Sequence, residues 1–312
     1  MIDFRYHVVS LVAVFLALAL GVLLGTTQLS GAVSDDLRGQ VRQLDSDKRQ
    51  LQTELRTLQG RTRSDDTVTA ALAPKLVAGT LRDAKVVLVA TPQAADSTGD
   101  GVQQALERAG AQVTGRVQLT DDYADPRRAA DAKAYVTGGG QPAGFQLPES
   151  ADAGVLSGAL LSYALLGTKK DDPTPAVTSE VLAGFASLRM LRVDSAQVTP
   201  GDLAVVVASG PVQGAEPAAR LQALGDLVSA LDGAGRGAVV AGTPAAAGRD
   251  GLVAAVRADS GLASAVSTVD HADRPVGQVA AVFALAQQSA GRSAQYGTAA
   301  GAEAPFPPIS SS

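Results

Sequence analysis

The chain lacks cysteine and tryptophan, and it has two histidines, His7 and His271, and two methionines, Met1 and Met190. Without cysteine there are no disulfides, no zinc ribbons, no thiolate nucleophile and no thiolate copper site. The redox compartment stays open, because an exported protein need not use disulfides. Concentrated positive charge is missing as well: 26 basic residues face 31 acidic ones, a net charge of −5. Nucleic acid, which requires a basic surface, is not an expected partner.

Nucleotide and hydrolase signatures are also missing. KVVLVA (85–90) is followed by TPQAADSTGDG, and LAVVVA (203–208) by SGPVQGAEP; neither is G-x-G-x-x-G. VTGGG (136–140) lacks a strand and helix in the required order. No G-x-x-x-x-G-K-[ST] and no G-x-S-x-G occurs. These glycines read as ordinary turns, and neither enzymatic activity nor a bound cofactor is expected.

What is present begins with an apolar run. Val8 to Leu24 reads VVSLVAVFLALALGVLL, and no charge falls between Val8 and Ser34. A bilayer core needs about 20 apolar residues in a helix, so Val8, Leu11, Phe15, Leu20 and Leu24 are expected to face lipid. The run is long for a signal peptide, although Ser30-Gly31-Ala32 resembles a weak cleavage site. An uncleaved anchor is the favoured reading. Arg5 precedes the span, and Asp35 and Asp36 follow it. Positive charge stays inside, which gives a single-pass protein of the cell membrane with a cytoplasmic N-terminus and an extracytoplasmic C-terminal domain.

Leu37, Val41, Leu44, Lys48, Leu51, Leu55 and Leu58 then recur in steps of four and three, with polar residues between them. This is the a/d seam of a coiled coil. Leucine at d, with one lysine at a, favours a parallel dimer. The partner is a second copy or a different envelope protein. An amphipathic helix packed on its own domain is the alternative.

Beyond Gly60 the pattern alternates. KVVLVA, LAVVVA and GAVVA (237–241) have the continuous apolar character of strands buried on both faces. Helical patterns fall at 101–110, 217–231, 251–257 and 276–288, with further strands at 112–119 and 265–269. This predicts an α/β domain with a mostly parallel sheet and helices on both faces. The apolar stretch 151–167 is short and flanked by charge, so it reads as a core helix. The Gly/Pro/Ser-rich end reads as a loose tail. The expected division is a membrane anchor at 1–34, a parallel coiled coil at 35–64, the α/β domain at 65–294 and a flexible tail at 295–312. In VDHADRP (269–275), Asp273 is expected to cap the helix that starts near Pro275.

The opening MIDFRYHVVSLVAVFLALALGVLLG and the closing STVDHADRPVGQVAAVFALAQQSAGRSAQYG resemble the actinobacterial envelope family of MctB-type copper transporters. The SteB cell-division protein is also similar to that family. The resemblance covers most of the chain and implies copper transport or copper homeostasis, with an outer-membrane channel proposed for the founding member. The SteB likeness implies a membrane-anchored coiled coil that regulates peptidoglycan hydrolysis at division. Copper enters by this resemblance alone. Copper(I) prefers thiolate and thioether ligands, and Met190 is the only internal candidate. No residue is therefore expected to ligate metal. A pore is not favoured either, since Ser10 is the one polar residue in Val8–Leu24, and barrel-type alternation is missing. A third reading is an extracytoplasmic sensor that binds a small ligand at the sheet's carboxyl edge.

Overall fold

Runs of valine, leucine and alanine set the sheet. A computed structural model describes residues 4–166 and 173–309, without the side chains of residues 26–38. Its strands are β1 (Lys85–Ala90), β2 (Gln112–Leu119), β3 (Leu191–Val193), β4 (Leu203–Ala208), β5 (Ala238–Gly242), β6 (Ser267–Val269) and β7 (Gln295–Tyr296). Among the described residues they form one sheet, in the order β3-β2-β1-β4-β5-β6-β7. Neighbours run parallel except β3, which is antiparallel to β2. β4 and β5 are buried along their whole length, as strands with both faces covered must be.

The helices are α1 (Phe4–Val77), α2 (Asp96–Arg108), α3 (Ala129–Thr137), α4 (Ala153–Leu166), α5 (Pro175–Ser187), α6 (Pro217–Ala234), α7 (Leu252–Ala258), α8 (Ser260–Ala265) and α9 (Pro275–Ser289). Alternate strand residues point to opposite sides, so the sheet separates two cores. Val87, Val89, Val206 and Val240 pack with Leu160 and Leu161 of α4, Phe185 of α5 and Leu227 of α6. Val86, Leu88, Val205 and Val239 pack with Leu106 of α2 and Val279 and Val282 of α9. Burying one such side chain stabilises by about 1.5–3 kcal/mol. The expected mostly parallel sheet with helices on both faces is therefore observed. α4 is a core helix as expected: its 14 residues are too few to span a bilayer, and Leu160, Leu161, Ala164 and Leu165 are fully buried.

The chain divides into two compact units, Met1–Asp65 and Asp66–Ser312. In the first, the described residues are helical throughout. The second holds the sheet.

Two expectations are corrected. The chain from 295 onward is not wholly loose: Gln295 and Tyr296 form β7 on β6 and are 2% and 3% exposed. Gln295 Nε2 donates to the carbonyls of Ala263 (2.8 Å) and Val266 (3.0 Å), and Tyr296 Oη donates to Gln287 Oε1. These buried polar contacts tie down a segment whose composition alone reads as flexible. Asp273 does not cap α9 either. The residue at the cap is Arg274, which makes no side-chain capping bond; it pairs instead with Asp66 at 2.9 Å.

Candidate functional site

The N-terminal unit offers an apolar surface. Residues Phe4–Gly25 of α1 form a helical stretch of 22 residues, long and apolar enough to cross a membrane. At 1.5 Å per residue it measures about 33 Å, against a hydrocarbon core of about 30 Å. Val8, Leu11, Phe15, Leu20 and Leu24 are all exposed, so lipid is the solvent in which their hydration cost disappears. The stretch fits a membrane anchor.

Farther along the same helix, Val41, Leu44, Lys48, Leu51, Leu55 and Leu58 are exposed; Leu37 lies outside the residues whose side chains are described. Spacings of three and four place these residues along one side of the helix. The intervening polar residues bond along the helix, as from Gln43 to Asp47 (3.3 Å) and Gln50 to Glu54 (3.0 Å).

In the α/β unit, the carboxyl edge of the sheet is where open doubly wound sheets hold ligands. β1 leads to α2 on one face and β4 to α6 on the other, so the crevice opens between them. Here Ser209 bridges the loops on either side: its Oγ accepts from the Ala95 N–H at 2.9 Å, and its carbonyl accepts from Thr243 Oγ1. The start of α2 carries its own anion, Asp96, which with Asp100 pairs with Arg116. A helix N-terminus that already has carboxylates beside it is a poor phosphate cradle.

Two buried ion pairs stand beside this edge, and the sequence reading singled out neither. Arg220 of α6 is 5% exposed and donates to Asp125 (2.9 Å) and to the carbonyls of Ala215 and Asp121 (3.0 Å each). It joins the loop after β4 to the loop after β2. The side-chain and backbone N–H groups of Arg127 hold the Asp125 carboxyl well below the usual carboxylate range, and Arg220 adds to this. Arg257 of α7 meets Asp270, at the end of β6, at 2.9 Å, and it donates to Thr268 Oγ1 and the Tyr296 carbonyl at 2.8 Å each. Asp270 also accepts from the N–H groups of Thr298 (3.0 Å) and Ala299 (2.9 Å) and lies 3.2 Å from His271 Nδ1. Burial opposes ionisation of Asp270, but these donors outweigh it and hold the carboxyl below its ordinary value. Gly297 completes the clamp: at φ +136° it passes so close that a Cβ would lie 2.0 Å from Asp270 Oδ1. The sequence signal was the juxtaposition of VDHADRP and QYG, which carries the family resemblance without stating the contact.

Among the described residues, no group of three His, Cys, Asp or Glu side chains could hold a metal ion. Met190 is fully buried in the core on the α4–α6 side of the sheet, and His271 is taken up by Asp270.

A family model described as "Copper transport outer membrane protein, MctB" matches residues 1–307. Proteins named "Copper transporter MctB" from Mycobacterium tuberculosis and Mycobacterium bovis are 31% identical over 308 residues, covering 97% of this chain and 98% of theirs. The one from Mycobacterium leprae is 30% identical over 314 residues, again covering 97% of this chain and 98% of its own. Similarity of that extent, running from the anchor through the Asp270 clamp, shows that the chain belongs to the MctB family.

Proposed function

We propose that this chain serves copper transport or copper homeostasis at the cell envelope, and that it does so as a non-enzymatic, single-pass membrane protein rather than as the copper conduit. The observation that carries the copper role is the end-to-end similarity to relatives named copper transporters. The conduit is assigned elsewhere on chemical grounds. Copper(I) binds soft sulfur ligands, whereas this chain has no cysteine and its one internal methionine is closed inside the core. In this reading Phe4–Gly25 holds the chain in the membrane with the N-terminus cytoplasmic. The seam Leu37–Leu58 pairs in parallel with a second copy or with a partner that handles the metal.

The exposed seam also favours a second reading, a SteB-like scaffold that regulates cell division and peptidoglycan hydrolysis. One genetic experiment separates the two. A strain without the gene is complemented with the wild-type chain or with L51D/L55D, and copper tolerance and septation are scored. The copper reading expects copper sensitivity, relieved by wild type and not by the seam variant. Unchanged copper tolerance sinks it, and septal or wall-hydrolysis defects without copper sensitivity support the scaffold. Full rescue by L51D/L55D removes the seam from either account.

A further inference from the structure

The α/β unit begins with the closing turns of α1, residues 66–77. One side of these turns is taken up by the unit itself. Ala73 and Val77 are 6% and 1% exposed and pack in the core with Leu106 of α2 and Val279 of α9, and Asp66 pairs with Arg274. The larger apolar side chains are left out. Val68, Leu72 and Leu76 recur every four residues, which places them along one stripe of the helix, and they are 56%, 49% and 44% exposed. A helix that served only to pack on its own unit would bury its leucines and expose its alanine. The reverse is seen.

The heptad count places this stripe. From Leu58 at d, steps of four and three lead to Thr62, Asp65, Thr69, Leu72 and Leu76. Leu72 therefore falls at d, Leu76 at a and Val68 at the adjoining g. The residues that the α/β unit holds, Asp66, Ala73 and Val77, fall at e and b. The unit covers one flank of the helix and leaves open the side that carries the repeat. Pro74, inside the helix, falls at f, away from the a/d stripe. Thr62, Asp65 and Thr69 separate the stripe from the leucines of the seam, so it is a second apolar contact with its own residues.

The charges indicate what covers it. In a parallel pair each g residue faces the following e residue of the other helix. With a second copy as the partner, Asp47 faces the partner's Gln52, Glu54 faces the partner's Gln59, and Arg61 faces the partner's Asp66. No like charges meet, and one pair is opposite in sign. Lys48, at a, has the partner's Asp47 at the flanking g position for its ammonium group. Two copies that share the Phe4–Gly25 anchor also start from one membrane at one height, which sets their helices parallel and in register. We propose that Val68, Leu72 and Leu76 pack against the same three residues of a second copy. The α/β unit, and not the seam alone, then carries a homodimer contact, whose register rests on the parallel seam proposed above.

The test uses the absence of cysteine, which lets single cysteines report contacts without background. L72C and L76C are introduced one at a time into the full chain, with L51C in the seam and A71C, exposed but off the stripe, for comparison. Each variant is expressed together with a larger tagged copy of itself, and the membranes are oxidised with diamide and run on non-reducing gels. Core positions of a parallel pair bring identical residues face to face, within reach of a disulfide. L72C and L76C are expected to link several-fold faster than A71C, and products joining a tagged to an untagged chain identify the second copy. All four side chains are exposed, so the fold is kept; a circular dichroism melt checks this. The proposal is overturned if L72C and L76C link no faster than A71C, or if they link only to another protein. L51C reads the seam separately. Linking at Leu51 without linking at Leu72 and Leu76 keeps the seam and removes the contact on the α/β unit; the converse result keeps that contact and removes the seam.

Discussion

Asp270 shows how much one carboxylate can carry. It closes the end of β6, the loop Gly297–Ala300 and α7 onto a single anion. Its folded pKa is lowered, so its contribution is present above the unfolded value, about 4, and is lost as pH falls through the lower folded value. We expect D270N to cost about 3–5 kcal/mol at pH 7, because it leaves Arg257 buried without its counter-charge. The variant should also flatten the loss of stability below about pH 4. Urea unfolding followed by circular dichroism at pH 7, 5, 4 and 3 measures both effects. If wild type and variant lose stability in parallel as pH falls, Asp270 is not the titrating group. The sequence concealed this clamp for a physical reason. Arginine in a helical pattern reads as a solvated charge, so Arg220 and Arg257 gave no hint that each would be buried against an aspartate.

At the scale of elements, legibility followed burial. The strands at 85–90, 203–208 and 238–242 were readable because both faces are covered, which leaves no polar alternation to confuse the pattern. Helices α2, α6, α7 and α9 were readable from period and flanking residues, with ends displaced by a few positions; α2 starts at Asp96 rather than Gly101. α5 and β3 were not singled out. α5 buries Thr178, Val181, Leu182 and Phe185 at helical spacing, but a threonine within that stripe and alanine, valine and glycine outside it blur the contrast; β3 has three residues, two of them exposed. α4 was the ambiguous one, apolar on all sides as a membrane segment would be. Its packing between α3, α5 and α6 makes a definite prediction. L160A, at a fully buried position, should destabilise the domain by about 2–5 kcal/mol in chemical denaturation. A cost under about 1 kcal/mol would mean that α4 is not core.

For the whole molecule, the division after Asp65 predicts that residues 66–312 alone remain in solution without detergent and unfold cooperatively, whereas the full chain fractionates with membranes. Carbonate extraction and a thermal melt check the two halves of that statement; a 66–312 chain that requires detergent would show that the anchor is not the only membrane-seeking surface. The sheet's outer strands are short, three residues in β3 and two in β7. An edge strand offers its unpaired N–H and C=O groups as a template for another chain, and here each end offers very few. Any protein crowded on a surface runs a risk of stacking strand upon strand. Edges as short as β3 and β7 leave such crowding little backbone on which fibril growth could start.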